Sequence, residues 1–149
     1  MIADFRGLTP LIKVFDMPAS IRFYCDVLGF TRVTASGPVP KCGWALVRRN
    51  ADEIMLNTQF EDDSRPAAPD GARQAAHKDT CFYFGCHDLE AAYAHLQANG
   101  VAAQKPSTAP YGMRQLYFED PDGFNLCFQY PASEDTVEQW RQWYGTEPR

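Results

Sequence analysis

The sequence contains one pattern twice, and this internal repeat constrains the fold more than any other feature. In each copy an aspartate is followed by a helix-like segment that ends at a glycine: Asp16 and Gly29 in the first copy, Asp88 and Gly100 in the second. The two aspartates are 72 residues apart in a chain of 149. Two copies are too few for a solenoid, so we expect two similar halves in one domain. A cleft forms where such halves meet, and small-molecule pockets favour such seams.

Composition restricts the class of protein. The hydrophobic fraction of 45% and the aromatic fraction of 13% are typical of an ordinary globular domain. The net charge of −5, without any basic run, argues against nucleic-acid binding. No apolar stretch is long enough for a transmembrane helix, and the N-terminus lacks the apolar core of a signal peptide, so we expect no membrane contact and a cytoplasmic location.

The cysteines indicate neither a disulfide framework nor a zinc ribbon. They are odd in number, widely spaced and without a Cys-x-x-Cys pair. We expect most of them to be small buried residues. The five are Cys25, Cys42, Cys81, Cys86 and Cys127.

Hydrophobic periodicity predicts the order βαβββ in each half, hence an α+β fold. The first module is expected at 8–58, a linker or flap at 59–78, the second module at 79–130, and a helical tail at 131–149. In that tail, Trp140 and Trp143 form an aromatic stripe, which is more typical of packing on a sheet or a partner subunit than of cofactor binding. Strands are expected at 8–15, 30–34, 44–48, 53–58, 79–86, 101–104, 113–118 and 124–130, and helices at 17–27 and 88–98.

Three motifs resemble the vicinal oxygen chelate superfamily, which includes glyoxalase I, extradiol dioxygenases and bleomycin-resistance proteins. They are Val14-x-Asp16-Met17-x-x-Ser20-x-x-Phe23-Tyr24-x-x-Val27-Leu28-Gly29-Phe30, then Tyr111-Gly112, then Asp120-Pro121-Asp122-Gly123. The resemblance covers residues 8 to 130. It implies two βαβββ modules with a pseudo-two-fold relation, which form a curved mixed sheet around a cleft, plus a C-terminal helix.

The resemblance also implies where a metal would be held. In metal-dependent members, ligands lie at equivalent places on the inner strands, which here correspond to Thr9, Met55, Cys81 and Cys127. Because this set offers no imidazole and no carboxylate, we expect the usual metal chemistry, and any cofactor, to be absent. Cys81 and Cys127 remain a candidate dithiol site for a soft metal, although buried cysteines are more often small apolar fillers.

Strand alternation extends this set of cleft residues. Positions i and i+2 share a face, which brings in Leu11, Lys13, Glu53, Asn57, Tyr83 and Gln129. Apolar walls with a few polar groups are typical of a small-molecule pocket. Whether Lys13 lines the cleft or ends an exposed strand is left open. Tyr111 and Arg114 follow the loop where the superfamily closes over its ligand, and the two side chains would fix a carboxylate or phenol. For Arg114, an outer face is the slightly better fit.

Few residues are candidates for catalysis. His77 is the first candidate general base, because an imidazole titrates near neutrality, although a lone histidine in a polar linker is more often simply solvated. Tyr111 is the second, whereas His87 and His95 fit structural roles. The segment Asp120-Pro121-Asp122-Gly123 is interpreted as a turn. No nucleophile elbow and no phosphate-binding glycine loop is present in the sequence.

The sequence therefore predicts a protein of the glyoxalase/bleomycin-resistance type that binds a small organic molecule without a metal. By resemblance it would be a homodimer. One alternative is a lyase, isomerase or dioxygenase of the same superfamily with an atypical metal-ligand set. Another is a protein-interaction module that uses the Trp140/Trp143 helix. The predicted ligand-binding residues are Thr9, Leu11, Lys13, Met55, Asn57, Cys81, Tyr83, Tyr111, Arg114, Cys127 and Gln129.

Overall fold

A computed structural model describes residues 4, 7–39, 41–60 and 64–145 of the chain. The chain divides into two units, Met1–Asp70 and Gly71–Arg149. Each unit contains one four-stranded mixed sheet in which the first strand runs parallel to the last strand. The α+β class with two repeated modules, expected from the sequence, is confirmed.

The first unit has the strand order β1-β4-β3-β2. Alternate residues such as Ile12, Val47 and Leu56 are buried, while their neighbours lie on the other face. Its elements are β1 (Leu11–Lys13), α1 (Met17–Ile21), a π-helical segment (Arg22–Val27), β2 (Thr31–Ala35), β3 (Trp44–Arg49) and β4 (Asp52–Asn57).

Helix α1 begins as the sequence predicts but does not continue as a regular α-helix. The carboxylate of Asp16 accepts a hydrogen bond from the amide of Ala19 at 3.1 Å, which caps the first turn. The helix then widens into π geometry, in which the amide of Leu28 donates to the carbonyl of Phe23 five residues earlier. The physical reason lies in length. From Asp16 to Gly29 the chain is one residue longer than from Asp88 to Gly100, and a π turn accommodates an additional residue.

The second unit repeats this topology with the order β5-β8-β7-β6. The carboxylate of Asp88 caps the second helix by accepting from the amide of Ala91 at 2.9 Å. Leu89 and Leu96 of that helix are buried, as are Leu116 and Leu126 of the sheet. The elements are α2 (Gly71–His77), β5 (Cys81–Gly85), α3 (Leu89–Ala98), β6 (Ser107–Thr108), β7 (Met113–Glu119), β8 (Asn125–Pro131) and α4 (Glu134–Tyr144).

The segment from Asp120 to Gly123 forms a tight turn before β8. One carboxylate oxygen of Asp120 accepts from the amides of Asp122 and Phe124, both at 2.9 Å. Gly123 has a φ of +83°, a conformation that favours glycine. The carboxylate of Asp120 thus stabilises the turn, and the structural interpretation of this segment agrees with the geometry.

Two segments differ from the expectation. The stretch 59–78 contains helix α2, whose run Ala72-Arg73-Gln74-Ala75-Ala76 consists of good helix formers. The strand expected at 101–104 is not formed: Ala103 makes a single bridge to Phe118, and the strand follows later as β6. Pro106 explains the delay, since proline has no amide hydrogen to donate and interrupts the ladder.

None of the helices in the described part of the chain is long and apolar enough to cross a membrane.

Candidate functional site

One face of the second sheet concentrates the polar and aromatic side chains. The register places Tyr83, Cys127 and Tyr117 side by side, and Gly85, Gln129 and Gln115 in the next row. Phe82, Phe84, Leu116, Phe118, Leu126 and Phe128 occupy the opposite face, where aromatic rings pack on one another. We call the first surface the tyrosine face; it comprises Cys81, Tyr83, Gly85, Gln115, Tyr117, Cys127 and Gln129.

Two tyrosines meet across the central strand of this face. The hydroxyl oxygens of Tyr83 and Tyr117 lie 3.1 Å apart, and their rings are nearly perpendicular at 85° with centroids 6.3 Å apart. Since both residues flank Cys127 in the register, the pair closes over that cysteine. Cys127 is fully buried, whereas Tyr83 is 51% exposed. The face therefore presents aromatic surface to solvent and keeps its central thiol beneath it.

Gln115 is the centre of the hydrogen-bond network on this face. Its side-chain oxygen accepts from the hydroxyl of Tyr111 at 3.0 Å and from that of Tyr117 at 3.3 Å. Its amide nitrogen donates to the side-chain oxygen of Gln129 at 3.0 Å. Gln115 is almost fully buried, and Tyr111, in the loop before β7, is exposed. The network links an exposed loop residue to the centre of the sheet.

The thiols and phenols of this cluster hold their protons. Burial raises the pKa of Cys127 to about 11 and also raises that of Cys81. The pKa of Tyr117 is raised as well; the hydrogen bond to Tyr83 is the largest cause and burial is the second. For Tyr83, the hydrogen bond to Tyr117 lowers the pKa, but burial and the neighbouring thiols together raise it more. At neutral pH the four groups are therefore uncharged.

The first sheet has a corresponding face with different chemistry. The residues in register are Leu11, Met55 and Leu46, an apolar row in place of the Tyr83–Cys127–Tyr117 row. In the next row, the ammonium of Lys13 donates to the side-chain oxygen of Asn57. The amide nitrogen of Asn57 donates to the carbonyl of Gly43 at 3.1 Å, which fixes the orientation of its side chain.

Thr9 lies at the charged end of that same face. Its hydroxyl donates to the carboxylate of Glu53 at 3.3 Å, and Arg48 donates from Nε to the other oxygen at 2.7 Å. The hydrogen bond from Arg48 lowers the pKa of Glu53 below its ordinary value. Glu53 is thus an ionised, already paired carboxylate.

The structure brings most of the predicted ligand-binding residues into two groups, one in each unit. Thr9, Leu11, Lys13, Met55 and Asn57 share a face of the first sheet. Cys81, Tyr83, Cys127 and Gln129 share the tyrosine face, and Tyr111 contacts it through Gln115.

Arg114 does not join this group. It precedes Gln115 on β7, so alternation directs it to the opposite face, where its guanidinium pairs with the carboxylate of Glu90 on α3. This is the outer-face position that was considered for Arg114 from the sequence. Conversely, Gln115 and Tyr117 lie on the tyrosine face but were not among the residues predicted from the sequence. The period-2 pattern along 113–118 would have placed them on one face had it been applied to that strand.

His77 has a packing environment away from the tyrosine face. Its ring stacks on Phe124 and its Nδ1 lies 2.7 Å from the carbonyl oxygen of Asp122. The expected alternative of a freely solvated histidine is therefore not what the structure contains. The contacts of His77 anchor α2 to the turn before β8.

The four positions that correspond to the superfamily's metal ligands do not fit a hard divalent ion. Met55 lies in an apolar row, and the hydroxyl of Thr9 donates to Glu53. Burial raises the pKa of Cys81 and of Cys127, so a metal would have to displace both protons against that burial. Within residues 4, 7–39, 41–60 and 64–145, no group of three His, Cys, Asp or Glu side chains is arranged to hold a metal.

The fold and these motifs define a member of the Glyoxalase/Bleomycin resistance protein/Dioxygenase superfamily, whose sequence pattern matches residues 9–128. The chain belongs to this family. It is 30% identical to the protein YaeR of Escherichia coli (strain K12), in an alignment that covers 74% of this chain and 84% of YaeR.

Solved structures share the fold. TnmS3, an antibiotic binding protein from Streptomyces sp. CB03234, is similar with a TM-score of 0.63 and 24% identity, over 88% of this chain and 99% of its own. The bleomycin-binding protein of bleomycin-producing Streptomyces verticillus, complexed with copper(II)-bleomycin, has a TM-score of 0.58 and 22% identity, over 85% of this chain and 97% of its own. At these identities the likeness concerns the fold alone.

Proposed function

We propose that this protein binds a small organic molecule on the tyrosine face, without the superfamily's usual metal. The observation that carries the proposal is the network of Tyr83, Tyr117, Gln115 and Gln129, which combines exposed aromatic surface with oriented and uncharged polar groups. Binding sites for small molecules typically pair apolar and aromatic walls with a few fixed polar groups. Structural neighbours that bind an antibiotic or bleomycin are consistent with this proposal.

The hydrogen bonds within the network favour binding over a purely structural role. Tyr83 and Tyr111 are 51% and 61% exposed, and large aromatic side chains left at a surface are typical of recognition sites. Each has a polar hydroxyl held in place by a partner, which reduces the conformational entropy lost when a ligand binds. The corresponding face of the first sheet, with Leu11, Met55, Lys13 and Asn57, has a similar mixture and is included in the proposal.

The test is a ligand screen read out residue by residue. Uniformly ¹⁵N-labelled protein is titrated with bleomycin and with a panel of neutral aromatic compounds, and amide shifts are mapped onto the sequence. We expect shifts to concentrate in β5, β7 and β8, at the residues of the tyrosine face. Tyr117→Phe should weaken the binding of any compound that hits, whereas Tyr130→Phe, on the opposite face of β8, should not.

Two other outcomes would contradict the proposal. Shifts confined to α4, lost on Trp140→Ala, would favour a protein-interaction module. A stoichiometric divalent metal in the purified protein, lost in the Cys81→Ala/Cys127→Ala variant, would favour a metal-dependent enzyme. Elemental analysis of both proteins tests the metal-dependent case, and we expect no stoichiometric metal because Thr9, Met55, Cys81 and Cys127 offer no imidazole and no carboxylate.

We further propose that the protein acts as a homodimer, as the resemblance to bleomycin-resistance proteins implies. Light scattering coupled to gel filtration should then give twice the chain mass of 16.8 kDa. A mass equal to that of one chain at micromolar concentration would contradict this part of the proposal.

A further inference from the structure

The hydrogen bonds of the tyrosine face meet at the side chain of Gln115. An amide oxygen can only accept, so the hydroxyl of Tyr117 must donate to Gln115. The hydroxyl of Tyr117 also lies 3.1 Å from that of Tyr83, and either oxygen can be the donor in that contact.

The hydrogen-bond network extends from Gln115 to Gln129. The amide nitrogen of Gln115 donates to the oxygen of Gln129, so the acceptor of Gln129 is occupied. The amide nitrogen of Gln129 carries two further N–H groups, and no acceptor for them is found among the residues that the structure describes. Gln129 is partly exposed, so these donors lie within reach of solvent.

A gap in the side chains lies directly beside these donors. The residue paired with Gln129 on β5 is Gly85, which is exposed and has no side chain. On its other side Gln129 is paired with Gln115. The amide of Gln129 is thus flanked by a side chain on one side only, and Tyr83, two residues before Gly85, forms an aromatic border to the gap.

Comparison with the first sheet indicates that this gap is specific to the second. The row equivalent to Gly85, Gln129 and Gln115 is Lys13, Asn57 and Trp44. There the ammonium of Lys13 fills the place of Gly85 and donates to the oxygen of Asn57. In the second sheet the amide of Gln129 has the equivalent position, but its partner on β5 is a glycine, which brings neither a cation nor a side chain.

We propose that the notch formed by Gly85, Gln129 and Tyr83 receives an uncharged hydrogen-bond acceptor, a carbonyl oxygen, on an aromatic ligand. This inference rests on the proposed function and specifies the chemical class of its ligand. The amide of Gln129 donates to the carbonyl, and the ring of Tyr83 contacts the aromatic plane beside it. A neutral group fits because the tyrosines and thiols around it keep their protons at neutral pH. A carboxylate would lose hydration without meeting a cation here.

The test uses three probes of nearly the same shape. They are 6-acetyl-2-naphthol, which carries a neutral carbonyl; 6-ethyl-2-naphthol, in which a methylene replaces it; and 6-hydroxy-2-naphthoate, which carries an anion. None is expected to react with the thiols. We expect the acetyl probe to bind about five- to tenfold more tightly than the ethyl probe, because it makes one additional hydrogen bond. It should also bind more tightly than the naphthoate.

Two variants test the notch itself. Gln129→Glu keeps an acceptor for Gln115 but removes the free donors, and should weaken the binding of the acetyl probe about tenfold more than that of the ethyl probe. Gly85→Ala places a methyl group beside Gln129 and should weaken the binding of all three probes. Their matched controls are Gln97→Glu, on the exposed side of α3, and Gly71→Ala, where an added Cβ meets nothing within 4 Å. Amide spectra establish that each variant is folded.

The outcomes separate the inference from the proposed function. Equal affinity of the acetyl and ethyl probes, with shifts on the tyrosine face, would overturn the carbonyl assignment and leave the binding function standing. Preference for the naphthoate would overturn the neutral character of the notch. If none of the probes shifts any resonance of the tyrosine face, the proposed function itself is contradicted.

Discussion

The ring of His77 lies parallel to the ring of Phe124, with centroids 4.1 Å apart and planes within 9° of each other. On the same side, Nδ1 of His77 lies 2.7 Å from the carbonyl oxygen of Asp122. The backbone carbonyl of Gln74 also approaches the turn, 3.1 Å from where a Cβ on Gly123 would stand. These contacts attach helix α2 to the turn that begins β8.

His77→Ala should therefore destabilise the protein by about 1–2 kcal/mol, through the loss of one stacked ring and one hydrogen bond. Urea denaturation measures the change. His77→Phe keeps the stacking and should recover part of the loss. His95→Ala, on the exposed side of α3, serves as the control and should change the free energy of unfolding by less than about 0.5 kcal/mol. If His77→Ala leaves stability unchanged but abolishes an activity, His77 has a catalytic role instead.

Gly112→Ala should destabilise the protein by about 2–3 kcal/mol for two separable reasons. Gly112 has a φ of +84°, and an added Cβ would lie 2.6 Å from the hydroxyl oxygen of Thr136 on α4. Combining it with Thr136→Ala removes the clash and should leave only the conformational part, about 1 kcal/mol. Gly100→Ala isolates that same part, since φ there is +74° and nothing lies within 4 Å. If the effects of Gly112→Ala and Thr136→Ala on the free energy of unfolding simply add, the clash with Thr136 does not contribute to the destabilisation.

The stability contributed by Cys127 should depend on pH in the alkaline range. Burial raises its pKa from 9.0 to about 11, so between these values the folded protein holds a proton that the unfolded chain releases. The contribution is complete below pH 9 and decreases as pH rises toward 11, by on the order of 2 kcal/mol. Wild type should therefore lose more stability than Cys127→Ala between pH 8 and pH 11. Parallel stability curves for the two proteins would show that the thiol titrates normally.

Tyr83→Phe should lower the pKa of Tyr117, because the hydrogen bond to Tyr83 is the largest cause that raises it. Tyrosine labelled with ¹³C at Cζ reports each phenol separately during an alkaline titration. Tyr130→Phe, on the opposite face of β8, should leave the titration of Tyr117 as it is in wild type. No change on Tyr83→Phe would mean that burial alone raises this pKa.

Much of the fold could be predicted because local chemistry and the repeat agree. Asp16 and Asp88 each cap a helix, and Gly29 and Gly100 each close one with a φ of +74°. These signals act within a few residues, so the sequence alone displays them. The π-helical segment could not be predicted in the same way, since its apolar spacing is compatible with an ordinary helix.

The candidate site was predicted only in part. Period-2 alternation identified Tyr83 and Gln129, but which side chains become partners depends on the register between β7 and β8, two strands whose pairing the pattern does not fix. Arg114 illustrates the difference. It is the residue next to Gln115 on β7, so it lies on the other face of the sheet. There it pairs with Glu90, which is 24 positions earlier in the sequence.

The additional residue in the first helix has a consequence for how such a repeat can diverge. Tyr83 follows Leu11 by 72 residues, Tyr117 follows Leu46 by 71, and Cys127 follows Met55 by 72. The helix of the first module is longer by one residue, and the last hairpin turn of the second module is longer by one. Insertions have therefore been tolerated at a helix and at a turn, without changing which side chains lie opposite one another in the sheets. The two modules thus differ in the lengths of their connections, while the pairing of equivalent positions in their sheets is the same.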